Sequence, residues 1–229
     1  MSKSPSRGRS LTSAQVVSML MVFVLLSSAG GVLTAGFAMP MVGAATAVTN
    51  ASAKLFDELP DDFNVLEPSQ ISTIKAADGT QIAQFYAENR IVVPLDEVAP
   101  IMQNAIVAVE DQRFYQHKGV DPTGIIRAVV SNANGGSQGA STLTQQYVRN
   151  VLVEAAIQKD DTAAQSAATA RSAARKIREI KYALTLEQRY SKQQILEGYL
   201  NIAAFGPSTY GVEASARHYF SHSAKDLSI

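Results

Sequence analysis

VAPIMQNAIVAVEDQRFYQHKG, Val98 to Gly119, is the stretch whose reading decides the fold. Val98, Ile101, Met102, Ala105, Ile106 and Val109 recur at spacings of three and four, which puts them on one face of a helix, with Asp96 placed to cap its start. The helix delivers Glu110 at its C-terminal end, where the macrodipole disfavours a negative charge. A carboxylate beside apolar residues also has its charged form disfavoured, the usual way a protein tunes a general base or acid toward neutral pH. Further on, GASTLTQQ, Gly139 to Gln146, packs hydroxyls and amides into one turn. Neither composition is what a plain core helix needs.

The helical period continues outward from this stretch. Asp121-Pro122 reads as an N-cap followed by proline at the first helical position, opening a helix through Ile125, Ile126, Val129 and Val130. Ser131 to Gly139 reads as a flexible loop, and Ser141 as the start of a helix through Val148 and Leu152. An Ala-rich stretch from Thr162 leads into RKIREIKYALTLEQRY, a long amphipathic helix with Ile177, Ile180, Ala183 and Leu184 on its buried side. Glu154 to Ala174, like the loop before it, is expected to be mobile. Ser191 and Gln194 form a capping box for a helix carrying Ile195, Leu196, Tyr199 and Leu200, and a last helix covers Gly211 to Phe220. Upstream, residues alternate on both sides of Asp78-Gly79 in SQISTIKAADGTQIAQFY, a short-hairpin signal, with Arg90 to Val93 as its partner. The fold class expected is mainly α with one small N-terminal β-hairpin.

The chain has 229 residues, no Cys and a formal charge of zero, which suits one globular domain plus an appendage. Absence of Cys excludes disulfides and thiolate metal sites. The zero hides an asymmetry: +3 over residues 1 to 50, −8 over 54 to 112 and +5 over 113 to 229. A basic C-terminal half fits a phosphate or pyrophosphate ligand, and equally a solvated surface. No charged residue lies between Arg9 and Lys54, and Val16 to Val42 is almost wholly apolar. A bilayer core needs roughly 20 such residues, so this run spans; Lys3, Arg7 and Arg9 place the N-terminus inside and the rest outside. A cleaved signal peptide competes, since Ala44, Ala45 and Ala47 follow, but the run exceeds a typical signal core of about 7 to 15 residues. The organisation expected is a cytoplasmic basic tail at 1–15, a transmembrane anchor at 16–42, a juxtamembrane linker at 43–68 and a globular domain at 69–229. No tail or capping glycine follows Leu227, so the domain is expected to be incomplete at its C-terminus.

EDQRFYQHKG, GASTLTQQ, RKIRE (Arg175 to Glu179), KQQILEGYLN (Lys192 to Asn201) and YGVEASARHYF (Tyr210 to Phe220) together resemble, in order and spacing, the five motifs of family 51 peptidoglycan glycosyltransferases. That family comprises the N-terminal domains of class A penicillin-binding proteins and the monofunctional transglycosylases. The resemblance covers roughly residues 70 to 229 and implies a lysozyme-like fold with a membrane-proximal jaw. It implies transfer of a growing glycan from undecaprenyl pyrophosphate to the GlcNAc 4-hydroxyl of lipid II, with inversion, and so a role in cell wall biogenesis and cell shape. The partners implied are lipid II, the nascent glycan strand, the membrane and cell-division or elongation proteins, and no nucleic acid.

Glu110 matches the family's base, which the hydroxyl needs because it is a poor nucleophile until deprotonated. Glu179 matches the second essential acid, although an i,i+4 pair with Arg175 would account for it structurally. Asp111 holds a neighbour or a divalent cation, Mg2+ or Mn2+ shared with Glu110, or pairs with Arg113. No organic cofactor is implied. A leaving pyrophosphate needs fixed positive charge, which Arg149, Arg175 and Lys176 supply; Arg171 reads as part of a solvated stripe. Ser141, Thr142, Gln145 and Gln146 are neutral groups at a helix start, suited to phosphate or sugar hydroxyls. Lys192, Tyr199 and Asn201 support the site, His117 is a structural hydrogen-bonder, and Phe114, Tyr219 and Phe220 pack. Ser72 to Lys75 fits the S-x-x-K pattern of penicillin-binding transpeptidases but sits in a predicted strand with no K-T-G after it, so β-lactam binding is not expected. Two other readings are a lysozyme-like hydrolase, which releases no pyrophosphate, and a non-catalytic lipid II or division-complex scaffold.

Overall fold

The computed structural model describes residues 63–229 throughout, and before them residues 18–21, 23, 24, 27, 53, 54, 56, 57 and 59. Among the described residues no helix is long and apolar enough to cross a membrane, and most of the run at 16–42 lies outside them. The chain divides after Lys54, and the unit from Leu55 to Ile229 carries the fold that follows.

This unit is mainly helical. Strands β1 (Ser72–Lys75) and β2 (Gln81–Phe85) pair antiparallel as the expected hairpin, with Ser72 opposite Phe85. The turn is closed by the Asp78 carboxylate, whose Oδ1 accepts from the Thr80 amide at 2.9 Å. Arg90 does not join this hairpin as expected. It ends β3 (Asn89–Arg90), which runs parallel to β5 (Thr209–Tyr210), itself antiparallel to β4 (Ala204–Gly206). Burial explains the choice: the hairpin is exposed along almost its whole length, whereas Arg90 is 1% exposed, held by Glu88 at 2.7 Å and Glu154 at 3.2 Å. An arginine so deep needs both carboxylates, because an uncompensated buried charge is strongly destabilising.

Helix α1 (Pro100–Glu110) starts three residues later than a cap at Asp96 would place it. Asp96 lies in a 3-10 turn at Leu95–Glu97, and Pro100 sets the boundary: it holds Ala99 extended and supplies the first helical residue. Helix α2 (Pro122–Ala133) is capped by Asp121, whose Oδ1 accepts from the Gly124 amide at 3.0 Å. The following loop is braced, with the Asn132 amide and the Gln138 backbone exchanging hydrogen bonds of 3.2 and 2.8 Å.

Helix α3 (Leu143–Gln158) is the hub, packing on α4 (Thr162–Thr169), α5 (Ala173–Arg189) and α6 (Lys192–Ile202). The Ala-rich stretch is helical, but broken in two because the side chains of Asp161 and Ser172 each cap a separate start. The fully buried residues of α5 are Glu179, Lys181, Tyr182, Ala183 and Leu186; Ile177, Ile180 and Leu184 are only half-buried. Both hydrogen bonds of the predicted Ser191/Gln194 capping box form, at 3.3 and 2.8 Å. Helix α7 (Val212–Phe220) follows Gly211. Leu143, Val148, Leu196, Leu200 and Phe114 are buried completely at the centre. Truncating a side chain such as Phe114 there costs about 3–5 kcal/mol.

Part of the stretch read as a linker packs on the helices. Phe63 is 5% exposed and stacks on Tyr182 with ring centroids 5.0 Å apart. Lys181 Nζ donates to the carbonyls of Phe56 at 2.9 Å and Leu59 at 2.6 Å, so its charge has polar partners in a largely apolar setting.

Candidate active site

A cleft of about 460 Å3 opens between the end of α1, the start of α2, the 137–140 loop and the start of α3, with Glu110, Arg127, Gly139 and Ser141 in its lining. Glu110 is exposed, not enclosed by apolar residues as its helix pattern suggests. Its Oε2 accepts from the Gln146 side-chain amide at 2.8 Å, and Gln146 Oε1 in turn accepts from the Tyr199 hydroxyl at 3.4 Å. Burial pushes that hydroxyl up to about 12; Glu110 adds to the rise and Arg149 opposes it. Glu110, Gln146, Tyr199 and Arg149, drawn from α1, α3 and α6, therefore face one another.

A second group stands beside the first. Lys176 Nζ donates to Ser141 Oγ at 2.8 Å, to Gln145 Oε1 at 2.7 Å and to Glu179 Oε2 at 3.4 Å. Glu179 is 2% exposed and also takes Arg175, one helical turn back. Burial holds the Lys176 ammonium below its ordinary pKa; Glu179 offsets this, while Arg175 and Arg149 add to the depression. Arg149 is thus electrostatically coupled to both groups. Among the described residues its guanidinium makes no hydrogen bond or ion pair, although it is half-buried. Arg149, Arg175 and Lys176 outnumber Glu179, leaving a local excess of positive charge suited to an anion.

Several residues expected in the site are committed elsewhere. Thr142 caps α3 and donates to the Gly119 carbonyl at 2.8 Å, and the Gln145 amide donates to the same oxygen at 3.0 Å. Both are essentially buried, so they hold the turn and offer no donor to a ligand. Gly119 is required there: its φ is +78°, and a Cβ would lie 2.8 Å from the Ala183 carbonyl oxygen. Lys192 is half-buried, donates to Glu187 of α5 at 2.7 Å and lies 4.3 Å from the centroid of the Phe114 ring. Asn201 exchanges bonds of 3.0 and 2.8 Å with the Val93 backbone, tying α6 to the segment before α1.

Asp111 turns away from Glu110. Its two oxygens lie 3.0 and 2.9 Å from His117 Nε2, and Oδ2 accepts from the Leu143 amide at 3.0 Å, so the carboxylate pins the start of α3. Arg113 does not pair with it, donating instead to both oxygens of Asp121. His117 has the structural role expected. A divalent cation shared by Glu110 and Asp111 does not fit this arrangement, because one ligand faces inward with its oxygens engaged. Among the described residues no group of three His, Asp or Glu side chains could hold a metal ion.

Arg127 escaped the sequence reading. It is exposed, lines the cleft and makes no ion pair among the described residues. A cation inside the otherwise apolar IIRAVV run of α2 was the available signal.

Comparison with known proteins finds relatives among the penicillin-binding proteins. Penicillin-binding protein 1A of Escherichia coli (strain K12) is 40% identical over 179 residues, covering 75% of this chain and 19% of that protein. Penicillin-binding protein 2D of Bacillus subtilis (strain 168) is 40% identical over 161 residues, 69% of this chain and 21% of its own length. Penicillin-binding protein 1A of Mycobacterium tuberculosis (strain ATCC 25618 / H37Rv) is 36% identical over 185 residues, 80% and 21% respectively. The chain therefore spans about a fifth of the length of these curated relatives. The Transglycosylase family model matches residues 78–229, which takes in Glu110, Arg149, Lys176 and Glu179, and the chain belongs to that family.

Proposed function

We propose that the chain is a membrane-anchored peptidoglycan glycosyltransferase with a lysozyme-like catalytic domain, polymerising lipid II by inverting transfer. The observation that carries this reading is Arg149, an unpaired, half-buried guanidinium between the Glu110–Gln146–Tyr199 group and the Lys176–Glu179 group. Glu110 Oε1 has no protein hydrogen bond among the described residues and accepts the proton of the acceptor 4-hydroxyl, while Gln146 holds Oε2. The 4-oxygen forms its bond to the anomeric carbon of the donor chain from the face opposite the leaving group. The carbon–oxygen bond to pyrophosphate breaks, and its electron pair leaves on the undecaprenyl pyrophosphate. Arg149 and Lys176 face the charge that develops there, and Glu179 positions Arg175 and Lys176.

The apolar run 16–42, with its basic flank at Lys3, Arg7 and Arg9, supports a single span with the catalytic domain outside. The exposed apolar wall of α2, with Ile126 at 65% and Val129 at 63%, supports a lipid-facing cleft mouth. Cell-division or elongation proteins are further partners of this reading. A divalent cation enters it only as a companion of the pyrophosphate, and no step runs through one.

The test is incubation of the detergent-solubilised chain with labelled lipid II. Glycan polymer that disappears in Glu110→Gln is the expected result; no polymer from the unaltered chain, or undiminished polymer from the variant, overturns the proposal.

A further inference from the structure

Beside α6, away from Glu110, a second cavity of about 250 Å3 lies between Leu66, Val92, Tyr147, Tyr190, Glu197 and Ile202. It is a little smaller than the range of about 300–1,000 Å3 that holds a drug-sized ligand, so it admits a side-chain-sized group. Its apolar walls come from Leu66, Val92 and Ile202, and its aromatic ones from Tyr147 and Tyr190.

The lining also carries two amides, Asn201, engaged with the Val93 backbone, and Gln194, whose Oε1 accepts from the Ser191 amide; the remaining polar groups are the Glu197 carboxylate and the tyrosine hydroxyls. Glu197 Oε2 accepts from the Leu95 amide at 2.8 Å; its other oxygen has no hydrogen-bond partner among the described residues, and the carboxylate makes no ion pair there. The Tyr147 hydroxyl, in a residue only 7% exposed, also has no hydrogen bond among the described residues. Burial pushes that hydroxyl up to about 12, and Tyr190 and Glu197 add to the rise, so the three groups converge. Gly198 allows this placement: a Cβ there would lie 2.2 Å from the Tyr147 hydroxyl. Among the described residues no Lys or Arg lines the cavity.

We propose that this cavity binds an aliphatic primary ammonium group on a short apolar stem, the size of a lysine side chain, with Glu197 as counter-ion. The free carboxylate oxygen and the Tyr147 hydroxyl accept from the ammonium, and Leu66, Val92 and Ile202 cover the methylenes. The same chemistry occurs on a free amine and on a peptide lysine, and neither source depends on the reaction proposed for the cleft.

The probes are n-butylamine, Nα-acetyl-lysine methylamide and n-butanol, titrated into the chain while the Val92 and Ile202 methyl resonances are followed by NMR at neutral pH. Saturable shifts with n-butylamine are expected, with n-butanol weaker by about tenfold or more, as fits one charge-assisted hydrogen bond. Glu197→Gln keeps an acceptor for the Leu95 amide and is expected to weaken n-butylamine by a similar factor at an unchanged melting temperature. Tyr147→Phe is expected to weaken it severalfold. Binding of the lysine derivative as well assigns the site to a peptide side chain; binding of n-butylamine alone assigns it to a free amine. Absence of saturation, equal binding of n-butanol, or full binding by Glu197→Gln overturns the proposal.

Discussion

The two walls of the cleft invert the usual distribution of side chains. Helices α1 and α2 present apolar residues to solvent: α1 buries none of its residues fully, and Val109 and Ile126 are 79% and 65% exposed. Helices α3 and α5 bury polar ones, with Gln145 at 1% and Glu179 at 2%. Glu110 belongs to the first wall and Glu179 to the second. In the reaction proposed, the two carboxylates have different work: one is held by a single amide and open to a substrate, the other is locked between cations and fixes a field.

Substitution of each carboxylate separates these roles. Glu110→Gln is expected to lower lipid II polymerisation by about 10²–10⁴-fold, the worth of a general base, with melting within about 0.5 kcal/mol of the parent. Equal losses of activity and stability would break the comparison. Arg149→Ala is expected to cost about 10²-fold in turnover, since it removes one fixed cation from the developing charge while leaving no protein partner unpaired. Normal polymer from this variant would remove Arg149 from the anion site. Glu179→Gln is expected to cost about 3 kcal/mol in chemical denaturation along with activity, because Arg175 and Lys176 lose a buried counter-charge.

Alkaline pH tests the buried side of the second wall. Tyr147 and Tyr199 are each raised from 10.0 to about 12, so folding favours their neutral forms. Their contribution is complete below pH 10 and is lost as pH rises from 10 toward 12, by about 2–3 kcal/mol for each hydroxyl. Tyr199→Phe should flatten the fall in stability over that window, read from urea melts at several pH values. The smallest effect belongs to the first wall. Val129→Ser should change stability by less than about 0.5 kcal/mol, yet reduce binding of the chain to detergent micelles or vesicles. A large loss of stability would show that α2 is packed and not merely exposed.

Features set by neighbours in sequence were legible. Asp78 and Gly79 turn the hairpin, Asp121 caps α2, and the Ser191/Gln194 box opens α6, all through contacts within four residues. The start of α1 was misplaced because an acidic residue near a helix invites a cap, while the proline four residues later sets the boundary. Glu110, Arg149, Lys176 and Glu179, from α1, α3 and α5, lie in one electrostatic neighbourhood, with Arg149 acting on both groups. Thr142 and Gln145 looked like ligand donors because nothing local competes for them; their acceptor, the Gly119 carbonyl, is more than twenty residues away. Of the readings its position allows, Asp111 takes the first and holds a neighbour: His117 nearby and the Leu143 amide 32 residues further along. Long-range hydrogen bonds consumed what the motifs seemed to offer.

The hold of Lys181 on the carbonyls of Phe56 and Leu59, joined by Arg189 on that of Phe63 at 3.3 Å, has a mechanical meaning. Any tension on the chain N-terminal to residue 55 reaches these three hydrogen bonds before it reaches α5. The contacts at Phe56, Leu59 and Phe63 should therefore give way at lower force than α5 unfolds, insulating Arg175, Lys176 and Glu179 from strain on the preceding chain. A pulling experiment with handles at residue 55 and at the C-terminus would show this as an early, short extension step, shortened or lost in Lys181→Met.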